Sequence, residues 1–158
     1  MTDKHIVVVG AGLMGTGITH AFLASGHHVT LVDTNGSALN QAQESIAKIF
    51  SDGVRLGKTT EADVADALAR MACAEHLRGA SGDTALVMET VTESLPIKQA
   101  IVREAEACFK AGTVISTNTS ALSITEIASV AKAPAHVIGM HFFNPVHKMK
   151  LVEIVRGP

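Results

Sequence analysis

Neither tryptophan nor tyrosine occurs in this chain, and its five phenylalanines include one adjacent pair. A surface that stacks nucleic-acid bases needs aromatic faces interleaved with basic residues. Here the positive residues are scattered and the formal net charge is −2, so no nucleic-acid partner is expected. Cysteine is scarce too: Cys73 and Cys108 are too few for a disulfide framework and lack metal-ligand spacing, and they read as buried thiols in a reducing cytoplasm. None of the eight histidines forms an H-x-x-x-H pair, so no metal site is expected. No apolar run reaches the length that crosses a bilayer, and the first strand begins within a few residues of Met1, which leaves no room for a signal peptide. A cytoplasmic protein without a membrane partner is the expectation. At 158 residues and 47% apolar composition, the chain reads as one domain able to bury a proper core.

What is present is concentrated between residues 4 and 33. Ile6 to Val9 is apolar and β-branched throughout, as suits a central strand of a parallel sheet. Gly10, Gly12 and Gly15 follow at G-x-G-x-x-G spacing, with Leu13 and Met14 between the last two. In such a turn the first glycine permits the sharp bend, the second leaves room for a pyrophosphate, and the third lets the helix lie close to the strand. The phosphates sit at the helix N-terminus, where free N–H groups and the dipole favour anions. Met14, Ile18, Ala21 and Phe22 make an apolar helical stripe, Gly26 is placed to end it, and Val29 to Val32 forms the next strand. Asp33 closes that strand 18 residues after Gly15, near the ~20 expected of the acid that holds an adenosine ribose. Thr34, Asn35 and Gly36 follow it rather than an arginine. A carboxylate without a nearby guanidinium repels a 2′-phosphate, so the expected cofactor is NAD rather than NADP.

Downstream, a helix is expected from about Ser37 to Phe50, ended or bent by Ser51-Asp52-Gly53 or running on a few residues past it, and a second one from the Thr60 cap through Arg70. Together they suggest a helical hairpin leaning off the sheet after the second strand. Strands follow at Met71 to Ala74, Thr84 to Thr90, Thr113 to Thr117, His136 to His141 and Lys150 to Val155. Between them lie a helix capped by Ser94, with Pro96 in its first turn and Ile97, Ile101, Ala105, Cys108 and Phe109 on its apolar face, and a short helix from Ser123 to about Val130. Gly112 sits where the longer of these should stop. Strands alternating with helices define an α/β fold, a Rossmann-type doubly wound and mostly parallel sheet.

Ligands of such sheets bind beyond the C-terminal ends of the strands. Polar groups that follow apolar runs there are Glu89 to Glu93, Asn118-Thr119-Ser120, His141 to Pro145, and Glu153. Glu89 suits a structural strand end as well as a site; Glu93 and Lys98, five apart, read by themselves as a weak exposed pair. Ser116, Thr117 and Thr119 read as turn and backbone partners. Asn118 suits either turn capping or contact with a nicotinamide. His147 to Lys150 reads as a solvated basic loop, with the phosphates of a CoA tail as the sharper possibility.

These segments carry a resemblance. Gly-Ala-Gly-Leu-Met-Gly-Thr-Gly-Ile at the start, Glu-x-x-x-Glu at Glu89 to Glu93, Asn-Thr-Ser-Ala-Leu-Ser-Ile at 118 to 124 and His-Phe-Phe-Asn-Pro-Val at 141 to 146 resemble the NAD-binding domain of the 3-hydroxyacyl-CoA dehydrogenase family, including bacterial 3-hydroxybutyryl-CoA dehydrogenases. The resemblance runs from about Lys4 to Gly157. It departs from the family pattern at Thr90, where alanine is common, and at His147, often proline. It implies NAD-dependent oxidation of a short (S)-3-hydroxyacyl-CoA, with Ser120, His141, Asn144 and Glu153 in catalytic positions and Glu93 and Lys98 near the nicotinamide half of the cofactor. It also implies that residues 1–158 are the cofactor domain alone. Relatives continue into a helical domain that covers the acyl-CoA and makes a homodimer, and without it weak turnover is expected.

The chemistry expected of these residues is physical. The base that takes the hydroxyl proton should be a group suited to neutral pH, and His141 is of the right residue type for that task. Glu153, returning on an antiparallel strand, is expected beside it to fix the imidazole tautomer. Ser120 and Asn144 offer neutral donors to the substrate oxygen. Two other readings stay open at this point: a 3-hydroxyacid dehydrogenase of another family, and a non-enzymatic NAD-binding module.

Overall fold

A computed structural model describes residues 3–80 and 82–157. Among them, seven strands form one sheet: β1 (His5–Val9), β2 (His28–Val32), β3 (Met71–Ala74), β4 (Thr84–Glu89), β5 (Val114–Thr117), β6 (Val137–Phe142) and β7 (Val152–Arg156). Their order is β3-β2-β1-β4-β5-β6-β7, with every pairing parallel except β6 with β7. The chain starts at the centre, winds outward through β2 and β3, and crosses back to β4. The reversal of direction beside β1 opens the crevice where ligands of this architecture bind.

Alternation along the strands feeds two cores. Ile6 and Val8 of β1 join Val29 and Leu31 of β2 under α1 (Leu13–Ala24), α2 (Gly36–Arg55) and α3 (Glu61–Ala69). Val7 and Val9 join Val87, Ile115 and Val137 under α4 (Leu95–Cys108) and α5 (Ile124–Ala128). Helices therefore cover both faces, which is why β1 reads as an unbroken apolar run.

Several boundaries differ from expectation. The second helix passes straight through Ser51-Asp52-Gly53 and ends at Arg55; the residue that stops it is Gly57, in the left-handed region at φ +68°. Leu39, Ala42, Ile46 and Phe50 bury its inner face, and that burial outweighs the cost of one glycine in the helix. Thr60 caps α3 in a reciprocal box with Asp63. The hairpin does not lean away: both helices pack on α1, and Ala67 is buried in the same core as Ile18. On α1 itself the fully buried positions are Gly15 to Thr19 and Leu23, while Met14, Ala21 and Phe22 are only partly covered. Small residues let this helix lie close; a Cβ on Gly17 would stand 3.0 Å from Val146.

The buried face of α4 differs from the expected one in its first turn, while Ala105 and Phe109 are buried as expected. Lys98, Val102 and Ala105 are buried, whereas Ile97 is 44% exposed. Ser94 occupies the N-cap position but makes no side-chain cap bond. The helix ends at Cys108, before Gly112, which turns the chain at φ +90°. His136 belongs to a 3-10 turn and β6 starts one residue later.

Candidate active site

The glycine turn is built as the spacing requires. Gly10 adopts φ +105° and donates its N–H to the Val32 carbonyl at 2.8 Å, which ties the turn to the end of β2. A Cβ on Gly15 would lie 1.7 Å from the Gly10 carbonyl oxygen, so only glycine permits this approach of helix to strand. Nothing stands within 4 Å of the place a Cβ would take on Gly12. Gly12 is also the N-cap of α1, where no side chain caps the helix and no acidic residue occupies the first turn. Leu13, on that first turn, is 73% exposed, and Met14 behind it is partly covered. Open space, uncapped N–H groups and an exposed apolar side chain together fit a dinucleotide pyrophosphate.

Asp33 lies just past β2. One carboxylate oxygen accepts from the Ala11 N–H at 2.8 Å and the other from the Asn35 N–H at 2.9 Å. The acid thus fixes the glycine loop and the start of α2 while retaining lone pairs for a ribose. Thr90, where the family commonly has alanine, donates its hydroxyl to the Val9 and Gly10 carbonyls at 2.9 and 3.1 Å. It clasps the end of β1 to the end of β4.

At the other side of the crevice, β4 and β5 end in a polar network. Glu89 and Lys98 are each 1% exposed, and the Lys98 ammonium lies 2.9 Å from both oxygens of Glu89. Thr117 donates its hydroxyl to the same carboxylate at 2.6 Å, as does the Val91 N–H. Lys98 also reaches Glu93 at 3.3 Å, and the Thr119 hydroxyl hydrogen-bonds to Glu93. Burial disfavours the Glu93 charge, but the bond from Thr119, the Lys98 ammonium and the Ser120 N–H outweigh it and hold its pKa below the ordinary carboxylate value. Glu93 and Lys98 are thus not an exposed pair, because the lysine is enclosed. Thr117 and Thr119 are turn partners, as expected, and carboxylate partners too: Thr117 Oγ1 accepts from the Thr119 N–H at 3.4 Å and Thr119 Oγ1 from the Ala121 and Leu122 N–H groups at 3.3 and 2.9 Å, while the strand ends bring both acids to their hydroxyls. Glu89 is the member sequence reasoning left undecided. An acid closing an otherwise apolar strand was the available signal, since burying it requires a cation.

His141 and Glu153 face each other in register across β6 and β7, with His141 Nδ1 2.9 Å from Glu153 Oε2. The imidazole is mostly shielded and packs against Phe143 with ring centroids 4.6 Å apart and planes tilted by 56°. Asn118 accepts the Phe142 N–H at 2.9 Å through its side-chain oxygen, which joins the end of β5 to the strand that carries His141. Ser120 and Asn144 lie on exposed loops directly after β5 and β6. All these residues cluster at the C-terminal edge of the sheet, as expected. Among the described residues no group of three or more His, Cys, Asp or Glu is placed to hold a metal, and no helix is long and apolar enough to cross a membrane.

A glycine turn beneath a helix N-terminus, an acid past β2 and a histidine–carboxylate pair across the switch point define a dinucleotide-binding domain of dehydrogenase type. The chain belongs to the 3-hydroxyacyl-CoA dehydrogenase family: the family described as "3-hydroxyacyl-CoA dehydrogenase, NAD binding domain" matches residues 5–158. It is 38% identical over 152 residues to a 3-hydroxybutyryl-CoA dehydrogenase of Clostridioides difficile, covering 96% of this chain and 54% of that protein. It is 36% identical over 150 residues to a fatty acid oxidation complex subunit alpha of Psychrobacter sp., covering 95% of this chain and 21% of the other. Among solved structures, (S)-3-hydroxybutyryl-CoA dehydrogenase from Ralstonia eutropha superposes with a TM-score of 0.93 at 36% identity, over 99% of this chain and 55% of its own. The chain therefore spans about half the length of the 3-hydroxybutyryl-CoA dehydrogenases it matches, and the cofactor of the matched family domain is NAD.

Proposed function

We propose that this chain is the cofactor domain of an enzyme that oxidises a short (S)-3-hydroxyacyl-CoA to the 3-oxoacyl-CoA. The observation that carries the reading is the 2.9 Å contact between His141 Nδ1 and Glu153 Oε2 at the strand ends facing the glycine turn. With Nδ1–H held by the carboxylate, Nε2 presents its lone pair to a substrate hydroxyl and takes the proton as the carbinol carbon loses hydride; Glu153 stabilises the imidazolium that forms. Bound NAD supplies the hydride acceptor. Ser120 and Asn144, on loops flanking this pair, donate hydrogen bonds to the substrate oxygen. Gly10, Gly12, Leu13, Met14 and Gly15 receive the pyrophosphate, Asp33 the adenosine ribose, and Glu93, Lys98 and Asn118 border the nicotinamide end.

The reading includes a helical domain that covers the acyl-CoA and mediates a homodimer. Support comes from β7 and the segment before it, where Leu151, Val152, Ile154 and Val155 are all exposed, more apolar surface than a solvated edge strand ordinarily carries. A cytoplasmic setting agrees with the free thiols Cys73 and Cys108. Water exclusion and alignment of the reacting carbon depend on that cover. This chain is therefore expected to bind NADH but to turn over slowly. The test is NADH consumption with acetoacetyl-CoA by residues 1–158 and by a form extended through the helical domain, each with His141→Ala. Activity in the extended form that the substitution abolishes supports the reading. Undiminished activity after the substitution rejects the base, and NADH binding without turnover in either form points to a binding module.

A further inference from the structure

The cluster at the ends of β4 and β5 contains three ionised groups, two of them sealed from solvent. Glu89 and Lys98, each 1% exposed, cancel one another through two 2.9 Å contacts. Glu93 is the third, with its side chain 43% exposed. It is kept from swinging away by Thr119 and lies 3.3 Å from the same ammonium. The cluster thus holds one uncompensated negative charge, carried by the residue that faces the crevice. Asp33, beyond β2, marks the adenosine side of the glycine turn. Since β4 and β5 lie across β1 from β2, the ring end of a dinucleotide falls over this cluster.

We propose that the Glu89–Lys98 pair sets how strongly Glu93 distinguishes oxidised from reduced cofactor. The inference rests on the cofactor reading above. A nicotinamide ring carries a positive charge when oxidised and none when reduced, so a single carboxylate beneath it favours the oxidised form. Lys98 contacts Glu93 too, at 3.3 Å, and with no other acid beside it would cancel that charge. Glu89 supplies a second carboxylate, 2.9 Å from the ammonium through both oxygens, which leaves the cluster negative by one charge, and Thr117 and the Val91 N–H hold Glu89 in place. Glu89 is thereby a positioning residue, since it is enclosed and acts on the cofactor only through Lys98 and Glu93.

The test is the ratio of dissociation constants for NAD and NADH, measured by calorimetry on this chain. Glu93→Gln removes the charge directly, and Glu89→Gln leaves Lys98 to cancel Glu93. Each is expected to raise the NAD-to-NADH ratio of Kd values about fivefold, the order that one unit charge gives across a partly solvated gap. The double variant Glu89→Gln/Lys98→Met removes both enclosed charges together and restores the single negative charge of Glu93. Its ratio should return to within about twofold of the parent, because neutral replacement of a buried pair is tolerated. If Glu89→Gln does not fold, Glu93→Gln and the double variant decide the matter. Affinities for both forms that fall together, with an unchanged ratio, would reduce the cluster to scaffolding and overturn the inference. Loss of binding for both forms in the unaltered chain would instead defeat the cofactor reading itself.

Discussion

Glu153 is the direct cross-strand neighbour of His141, and their side chains meet on the same side of the β6–β7 ladder with Nδ1 and Oε2 2.9 Å apart. This is the single antiparallel pairing in the described sheet. Partners in register project to the same face, so the turn between β6 and β7 determines which acid the histidine meets. In the extended enzyme, His141→Ala is expected to lower kcat by about 10²- to 10⁴-fold, the usual worth of a general base. Glu153→Gln should lower kcat as well, by up to about 10⁴-fold, because an amide does not stabilise the imidazolium and can donate to Nδ1 and so select the wrong tautomer. Steady-state rates with acetoacetyl-CoA check both; a Glu153→Gln enzyme of undiminished rate would remove the acid from the mechanism.

Gly12 and Gly15 are predicted to fail differently when replaced by alanine. At Gly15 the added Cβ would meet the Gly10 carbonyl oxygen at 1.7 Å, and separating helix from strand should cost about 3 kcal/mol or more. At Gly12 the Cβ enters open space, so stability should stay within about 1 kcal/mol, while NADH affinity falls about tenfold or more as the pyrophosphate approach is filled. Urea unfolding and NADH fluorescence titration on the two variants separate these outcomes. A Gly12→Ala protein that binds NADH normally would remove the glycine turn from the cofactor site.

His20 provides a pH-dependent term in stability. Burial first, and the neighbouring His147 second, lower its pKa to about 4, and its ring packs 4.4 Å from Phe50. A base whose folded pKa is depressed binds its proton more readily when unfolded, so it favours unfolding as pH falls from about 6.5 toward 4. The loss across that window is on the order of 3 kcal/mol. His5, lowered by burial and then by His28, acts in the same direction. His20→Leu should therefore flatten the dependence of unfolding free energy on pH between 4 and 6.5. Denaturant curves at pH 7.5 and 5 with an unchanged slope in the variant would contradict this assignment.

Asp33 offers a test of cofactor choice. Its oxygens accept from Ala11 and Asn35, and the following residues provide no guanidinium for a 2′-phosphate. NADH should bind more tightly than NADPH, and Asp33→Ala should narrow the difference by weakening NADH and removing repulsion of the phosphate. Competition titrations measure both constants. A difference that survives the substitution intact would place selection elsewhere.

The glycine turn, the succession of strands and helices along the chain and the antiparallel return of β7 beside β6 were all legible because they rest on local signals: φ-permissive residues, apolar runs and the spacing of turns. The first turn of the helix containing Lys98 was not. Periodicity counts a lysine as outward-facing, and nothing within that helix reveals that Glu89, nine residues earlier, supplies a buried counter-charge. The expected face holds at Ala105 and Phe109, with Ile101 and Cys108 packed against the core, and fails at the first turn, where Lys98 is inside and Ile97 out. Gly53 leaves the helix end ambiguous for a related reason. A glycine inside a helix and one after it look alike in sequence, and the burial of Phe50 and the turn at Gly57 determine which role each takes. Local rules failed where a contact distant in sequence outweighed them.

The two members of the histidine–carboxylate pair are anchored unequally. The strand of His141 pairs with β5 as far as Gly139 and is tied beyond that by Asn118 to the Phe142 N–H, while Glu153 sits on the rim and is held to the sheet through β6 alone. The β6–β7 ladder therefore sets the distance from acid to imidazole, and the glycine turn, three strands away, takes no part in that contact.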